Sequence, residues 1–205
     1  MKRIVTALVL IPAVVYLILG APNLLFAIAL IVVGLFALRE VAQIGKNALI
    51  SVLGGGVYIG GAWFCAFKLR EIHPAWLLFA FLLCWAGDTA ALYIGKNFGK
   101  HKLASKISPG KTWEGAIASV VGGVLVGALY VHYSIPAAPM STVLIIAALG
   151  NIAGQIGDLV ESVYKRWGGV KDSGSSLPGH GGWLDRIDSS LLSVPAVYAL
   201  VSLFF

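Results

Sequence analysis

Charge is what this chain has least of. Only 12% of its 205 residues are Asp, Glu, Lys or Arg, where a soluble domain carries about 25%. That leaves no room for a separate water-facing domain. Cysteine is nearly missing too. Cys65 and Cys84 lie far apart inside apolar runs, without a CxxC pattern; they read as small packing residues and say little about redox compartment. No GxxxxGK[ST] spacing is present, so any phosphate site is not a P-loop. Internal repeats and low-complexity linkers are absent as well.

What fills the chain instead is hydrocarbon. Apolar residues make up 59% and mean hydropathy is +0.89. Apolar runs recur that are long enough to cross the ~30 Å bilayer core. Seven spans are predicted, at roughly 4–20, 23–39, 48–67, 74–94, 114–133, 140–163 and 187–205. The expected fold is therefore an all-α polytopic transmembrane helical bundle forming one integral membrane domain over residues 1–205. The start is basic and then apolar, like a signal peptide, but its run is long and Pro22 follows Ala21 where cleavage would fall; it is read as a retained span. Glycines at 54, 55, 56, 60 and 61, and the pairs Gly123/Gly127 and Gly150/Gly154, are read as close helix contacts.

The few charges are distributed unevenly. With the N-terminus in the cytoplasm, 13 of the 15 basic residues fall on that side, and only Lys68 and Arg70 fall outside. The expectation is an inner, cytoplasmic-type membrane with the working face toward the cytoplasm, where anionic headgroups and nucleotides are met. Two loops hold most of that charge. The first, at about 95–114, has five lysines between Lys96 and Lys111. These suit either a positive-inside anchor or phosphate binding. Ser108-Pro109-Gly110-Lys111-Thr112 puts a turn, a lysine and a hydroxyl just before a helix start, where backbone N–H groups also favour anions.

The second loop, at about 162–188, is unlike the rest of the chain. It holds Lys165, Arg166, Lys171, Asp172, Asp185, Arg186 and Asp188, with six glycines, and Glu161 stands just upstream. Asp158, Glu161, Ser162 and Lys165 share one helical face, and Asp185 and Asp188 share another. Asp88 lies near the same end of span four. Carboxylates at membrane depth are usually paired or functional. Salt bridges to Lys165, Arg166 or Arg186 would explain any single one. As a set, Asp158, Asp185, Asp188 and Asp88 are read as metal ligands. His180, between glycines, is read as a phosphate contact; His73, His101 and His132 form no constellation. The six tryptophans are core or interfacial residues.

The run S-x-x-K-R-x4-K-D-x-G-x2-L-P-x-H-G-G-x2-D-R-x-D, from Ser162 to Asp188, resembles the signature of phosphatidate cytidylyltransferases, the CDP-diacylglycerol synthases. Gly87-Asp88-Thr89, Gly95-Lys96 and Ser108 through Gly115 resemble that family's other conserved block. The resemblance implies that CTP and phosphatidate give CDP-diacylglycerol and pyrophosphate, with Mg²⁺ and a second cation such as K⁺. It implies Asp158, Lys165, Arg166, Lys171, Asp185 and Arg186 as catalytic groups, and Ser108, Lys111, Thr112, Ser162, His180, Gly181 and Gly182 as substrate contacts. The implied partners are CTP, phosphatidate in the membrane and a second copy in a homodimer, with no nucleic acid. The neighbouring enzyme class is a related CTP-using lipid kinase or transferase. The DxxDGxxAR run of CDP-alcohol phosphotransferases is absent. A transporter with an anion vestibule would leave unexplained why charge crowds into two loops on one face.

Overall fold

A computed structural model describes residues 2–176 and 181–205, with side chains from residue 8 onward. His180 lies outside the described residues. Eight helical segments follow in order: α1 (Lys2–Leu19), α2 (Asn23–Ile44), α3 (Ala48–Ile72), α4 (Pro74–Phe98), α5 (Trp113–Ser134), α6 (Met140–Trp167), the single turn α7 (Leu184–Ile187) and α8 (Ser190–Phe204). Six helical stretches are long and apolar enough to cross a membrane, the last being α7 and α8 taken together, and Leu8–Leu19 is a shorter apolar helix. The all-α polytopic expectation holds. Its boundaries are short at the charged end: α2 runs on to Ile44 and α6 to Trp167. Hydropathy stops at the first charge, whereas a helix continues while its backbone bonds and side chains find partners.

One feature differs from the sequence reading. Ser108–Thr112 is not a turn but a strand, β2, paired antiparallel with β1 (Lys102–Ala104) in the register Lys102 to Thr112 and Ala104 to Ser108. Lys102 Nζ donates to the Pro109 carbonyl at 2.8 Å. Trp113 N–H donates to the His101 carbonyl at 2.9 Å, and His101 Nδ1 lies 2.7 Å from Glu114 Oε1, pinning the hairpin to the start of α5. The helix start itself is as expected. Thr112 is its N-cap, its hydroxyl accepting from Gly115 N–H at 3.1 Å.

Small residues set the helix spacing, as lipid gives no hydrophobic force between helices. A Cβ on Gly123 would stand 3.1 Å from the Leu83 carbonyl of α4, one on Gly127 2.8 Å from the Phe79 ring, and one on Gly150 2.7 Å from Val197 of α8. These three pack as their spacing predicts. The α3 glycines do not all follow. Only Gly55 has a near neighbour, Val41, and Gly54, Gly56, Gly60 and Gly61 have nothing within 4 Å. The buried core centres on α4, whose Leu77, Phe79, Ala80 and Leu83 are closed off among α1, α3, α5, α6 and α8.

The bundle has two unlike ends. At one, Arg70 donates to the carbonyls of Ile18 and Ala21 and to Asn23 Oδ1, and the Trp76 and Phe205 rings meet at a tilt. At the other, Arg166 donates to the Ile107 carbonyl of the hairpin turn at 3.2 Å, and Tyr164 donates to the Val41 carbonyl at 2.7 Å. The second end holds the charged site.

Candidate active site

Helix α6 presents Asp158, Glu161, Ser162 and Lys165 on one face, as their spacing requires. It stops at Gly168 and Gly169, the latter at φ +78, with Val170 N–H returning to the Lys165 carbonyl at 2.9 Å. The chain then loops back, and α7 places Asp185 and Arg186 beside that face. Asp188 stands at the α7–α8 junction, its Oδ1 accepting from Ser189 N–H at 2.6 Å. Close approach of α6 makes this possible: a Cβ on Gly157 would lie 2.6 Å from the Asp188 carbonyl oxygen. Gly157→Ala should therefore push the junction away and lower stability by about 1–3 kcal/mol, read as thermal unfolding in micelles.

Carboxylate oxygens of Asp158, Glu161 and Asp188 all lie within 4.8 Å of one another. Lys111, projecting from β2, puts Nζ 2.7 Å from Asp158 Oδ2, and Ser162 Oγ donates to Asp158 Oδ1 at 3.4 Å. Lys165 Nζ sits 2.6 Å from both Glu161 Oε2 and Asp185 Oδ1, with side-chain exposures of only 11% for the lysine and 4% and 10% for its partners. Among the described residues, the Lys165 ammonium is the sole partner of Glu161 Oε2, and the buried Oε1 has no donor. Four acids, Asp158, Glu161, Asp185 and Asp188, meet two lysines, Lys111 and Lys165, a surplus of two acidic groups in this cluster of described residues. Hard oxygen ligands, unsatisfied lone pairs and that surplus fit a divalent cation.

The gathered trio differs from the set read from spacing. Glu161 joins Asp158 and Asp188, while Asp185 and Asp88 stand outside the three. Asp185 has other partners: besides Lys165, it accepts from Ser173 N–H at 3.1 Å and Gly182 N–H at 2.9 Å. Asp88 lies on α4 with Asp158, Lys111 and Arg186 as its charged neighbours. Gly181, at φ +78, passes so near Asp185 that a Cβ would stand 2.7 Å from Oδ2. Arg166 gives its guanidinium to the Ile107 and Val170 carbonyls, at 3.2 and 3.0 Å. Lys171 is exposed, and Ser108 sits at the start of β2 beside the turn.

Beneath the charged site, a cleft of about 330 Å³ opens among α1, α2, α3 and α4. Its walls include Leu10, Phe26, Trp63 and Phe81, and at its charged end stand Trp183 and Arg186. Among the described residues, Arg186 is the one charged residue on that lining.

Fold and site together define a polytopic helical membrane protein with a carboxylate-and-lysine centre at one end of its bundle. The chain belongs to the cytidylyltransferase family, whose profile matches residues 52–204. It is 45% identical over 123 residues to a phosphatidate cytidylyltransferase of Haemophilus influenzae, covering 58% of this chain and 43% of that protein. To that of Bacillus subtilis it is 35% identical over 183 residues, covering 88% of this chain and 67% of the relative. To that of Staphylococcus saprophyticus it is 42% identical over 147 residues, covering 70% and 55%. The matched stretches thus span 43% to 67% of the length of these curated relatives.

Proposed function

We propose that this protein transfers the cytidylyl group of CTP to phosphatidate, giving CDP-diacylglycerol and pyrophosphate at the cytoplasmic face of an inner-type membrane. The observation that carries this reading is a junction. Arg186, the only charge among the described residues that line the apolar cleft, belongs to the same turn as Asp185 and lies two residues before Asp188 of the carboxylate trio. A molecule with lipid tails in the cleft and a phosphate at Arg186 would meet a polyphosphate at Lys111.

The chemistry asks little of a general base. A phosphate monoester has its second pKa near ~6 and is largely ionised at neutral pH. Its oxygen attacks the α-phosphorus of CTP, a new P–O bond forms, and the bond to the departing pyrophosphate breaks. Charge and alignment are what this demands. Asp158, Glu161 and Asp188 would hold Mg²⁺, which when bound supplies Lewis-acid charge against the phosphate oxygens. Asp88 is the carboxylate left for a second cation such as K⁺. Lys111 can turn from Asp158 to a phosphate oxygen without leaving the site, and Arg186 anchors the lipid phosphate. Lys165, locked between two carboxylates, orients them. A homodimer would have the open glycine face of α3 for its contact, and crosslinking through Gly60→Cys would trap it.

The reaction is tested with protein purified in micelles, given phosphatidate, Mg²⁺ and CTP labelled at either the α or the γ phosphate. The α label should enter a lipid product while pyrophosphate is released. Transfer of the γ label would mark a kinase and overturn the proposal. Arg186→Ala should raise the KM for phosphatidate by about tenfold or more, the value of a charge-assisted phosphate contact, and leave the KM for CTP within about threefold.

A further inference from the structure

Glu40, on α2, is a buried carboxylate for which the proposed reaction has no use. Only 2% of its surface is exposed, and an anion so placed is tolerated only when its lone pairs find donors. Four donors reach it. Oε2 accepts from Ser173 Oγ and Leu184 N–H, both at 2.9 Å, and Oε1 accepts from Ser176 Oγ and Trp183 N–H, both at 3.0 Å. The fit is close: a Cβ on Gly174 would lie 2.9 Å from Glu40 Oε1, and one on Gly182 would collide with Glu40 Oε2 and Ser173 Oγ.

The four donors come from two stretches of the same loop. Ser173 and Ser176 precede residues 177–180, and Trp183 and Leu184 follow them. One carboxylate from a distant helix thus ties both arms together. From those arms the contacts run straight to the charged centre. Ser173 and Gly182 give their N–H groups to Asp185, at 3.1 and 2.9 Å. Asp185 holds Lys165 at 2.6 Å, and Lys165 lies 2.6 Å from Glu161 of the trio.

We propose that Glu40 is a positioning residue. It fixes the two arms of the loop so that Asp185, and through it Lys165, keep Glu161 aimed at the cation. The effect on turnover rests on the reaction proposed above; the hold on the loop does not.

The test compares the full chain in micelles with Glu40→Gln and Glu40→Asp. Glutamine keeps the size but turns an acceptor oxygen into an N–H₂ group facing donors. Amide exchange at Ser173, Trp183 and Leu184 should quicken by about tenfold or more in Glu40→Gln. Pyrophosphate release should fall by about tenfold or more in kcat. Binding of Mn²⁺, read by its electron paramagnetic resonance, should weaken by about threefold or more, because Glu161 is no longer held. Glu40→Asp, which keeps the charge, should recover part of each loss. If Glu40→Gln lowers only the melting temperature, and kcat per folded molecule stays within about twofold, Glu40 merely staples α2 to the loop and the inference fails. Unchanged exchange at the three amides overturns it equally. A wild type that releases no pyrophosphate sinks the reaction instead, while exchange and Mn²⁺ binding still decide the role of Glu40. Should Glu40→Gln not fold, Ser173→Ala with Ser176→Ala removes two of the same four donors and is read by the same criteria.

Discussion

Asp158→Asn and Asp188→Asn should each lower turnover of the proposed reaction by about 10³-fold while the protein still inserts and folds. The size follows from what each removes. A charge-stabilising group in a water-poor site is worth about 10²–10³ in rate, and here the same change also strips a ligand from a three-carboxylate centre. Asp158 has a second task, since Lys111 is held 2.7 Å from its Oδ2. Losing the carboxylate frees that lysine and with it the aim of β2. Neither substitution disturbs the core, because asparagine has nearly the same shape as aspartate. Pyrophosphate release, measured beside a chromatographic check of monodispersity, decides the matter. Turnover within tenfold of wild type in both variants would remove the cation assignment.

Lys165→Met is expected to do more harm to the fold than any other single change at the site. It leaves Glu161 and Asp185 facing each other in a nearly dry place, their side chains 4% and 10% exposed. Removing one partner of a buried ion pair costs about 3–5 kcal/mol, and here one lysine serves two acids. Asp185 retains the N–H groups of Ser173 and Gly182; Glu161 retains no donor among the described residues. The loss therefore falls mainly on Glu161. Adding Glu161→Gln to Lys165→Met should return about 1–3 kcal/mol of that stability without restoring turnover. Thermal unfolding in micelles with and without the second change measures it. A double variant no more stable than Lys165→Met alone would show that Glu161 had not been the stranded charge.

Much of this was legible in the residues. Long apolar runs separated by short polar breaks give the spans, and the period of 3.6 puts Asp158, Glu161 and Lys165 on one face whatever the helix packs against. Contact between the two charged loops also follows, since both leave the bundle at the same end. What spacing could not give is which acids turn toward one another. Asp185 and Asp188 are three apart and look equivalent; Lys165 and the backbone N–H groups of Ser173 and Gly182, all on Asp185, separate their roles. Glu161 shares its helical face with Asp158, but spacing alone does not show that it turns toward Asp158 and Asp188. Glu40 carried no signal except its place: a lone carboxylate beside Arg39, near the end of a span, with its four donors more than 130 positions away. The hairpin was missed for a related reason. Pro109 and Gly110 disfavour strands, and here the strand survives as an edge pinned by Lys102 and His101.

The central claim is that Asp158, Glu161 and Asp188 grip one divalent cation. Titrating the purified chain with Mn²⁺ and following its paramagnetic resonance tests that most directly. One ion should bind per chain, and neutralising any one of the three, Glu161→Gln included, should weaken it by about tenfold or more. Binding that is unchanged in all three variants would contradict the account.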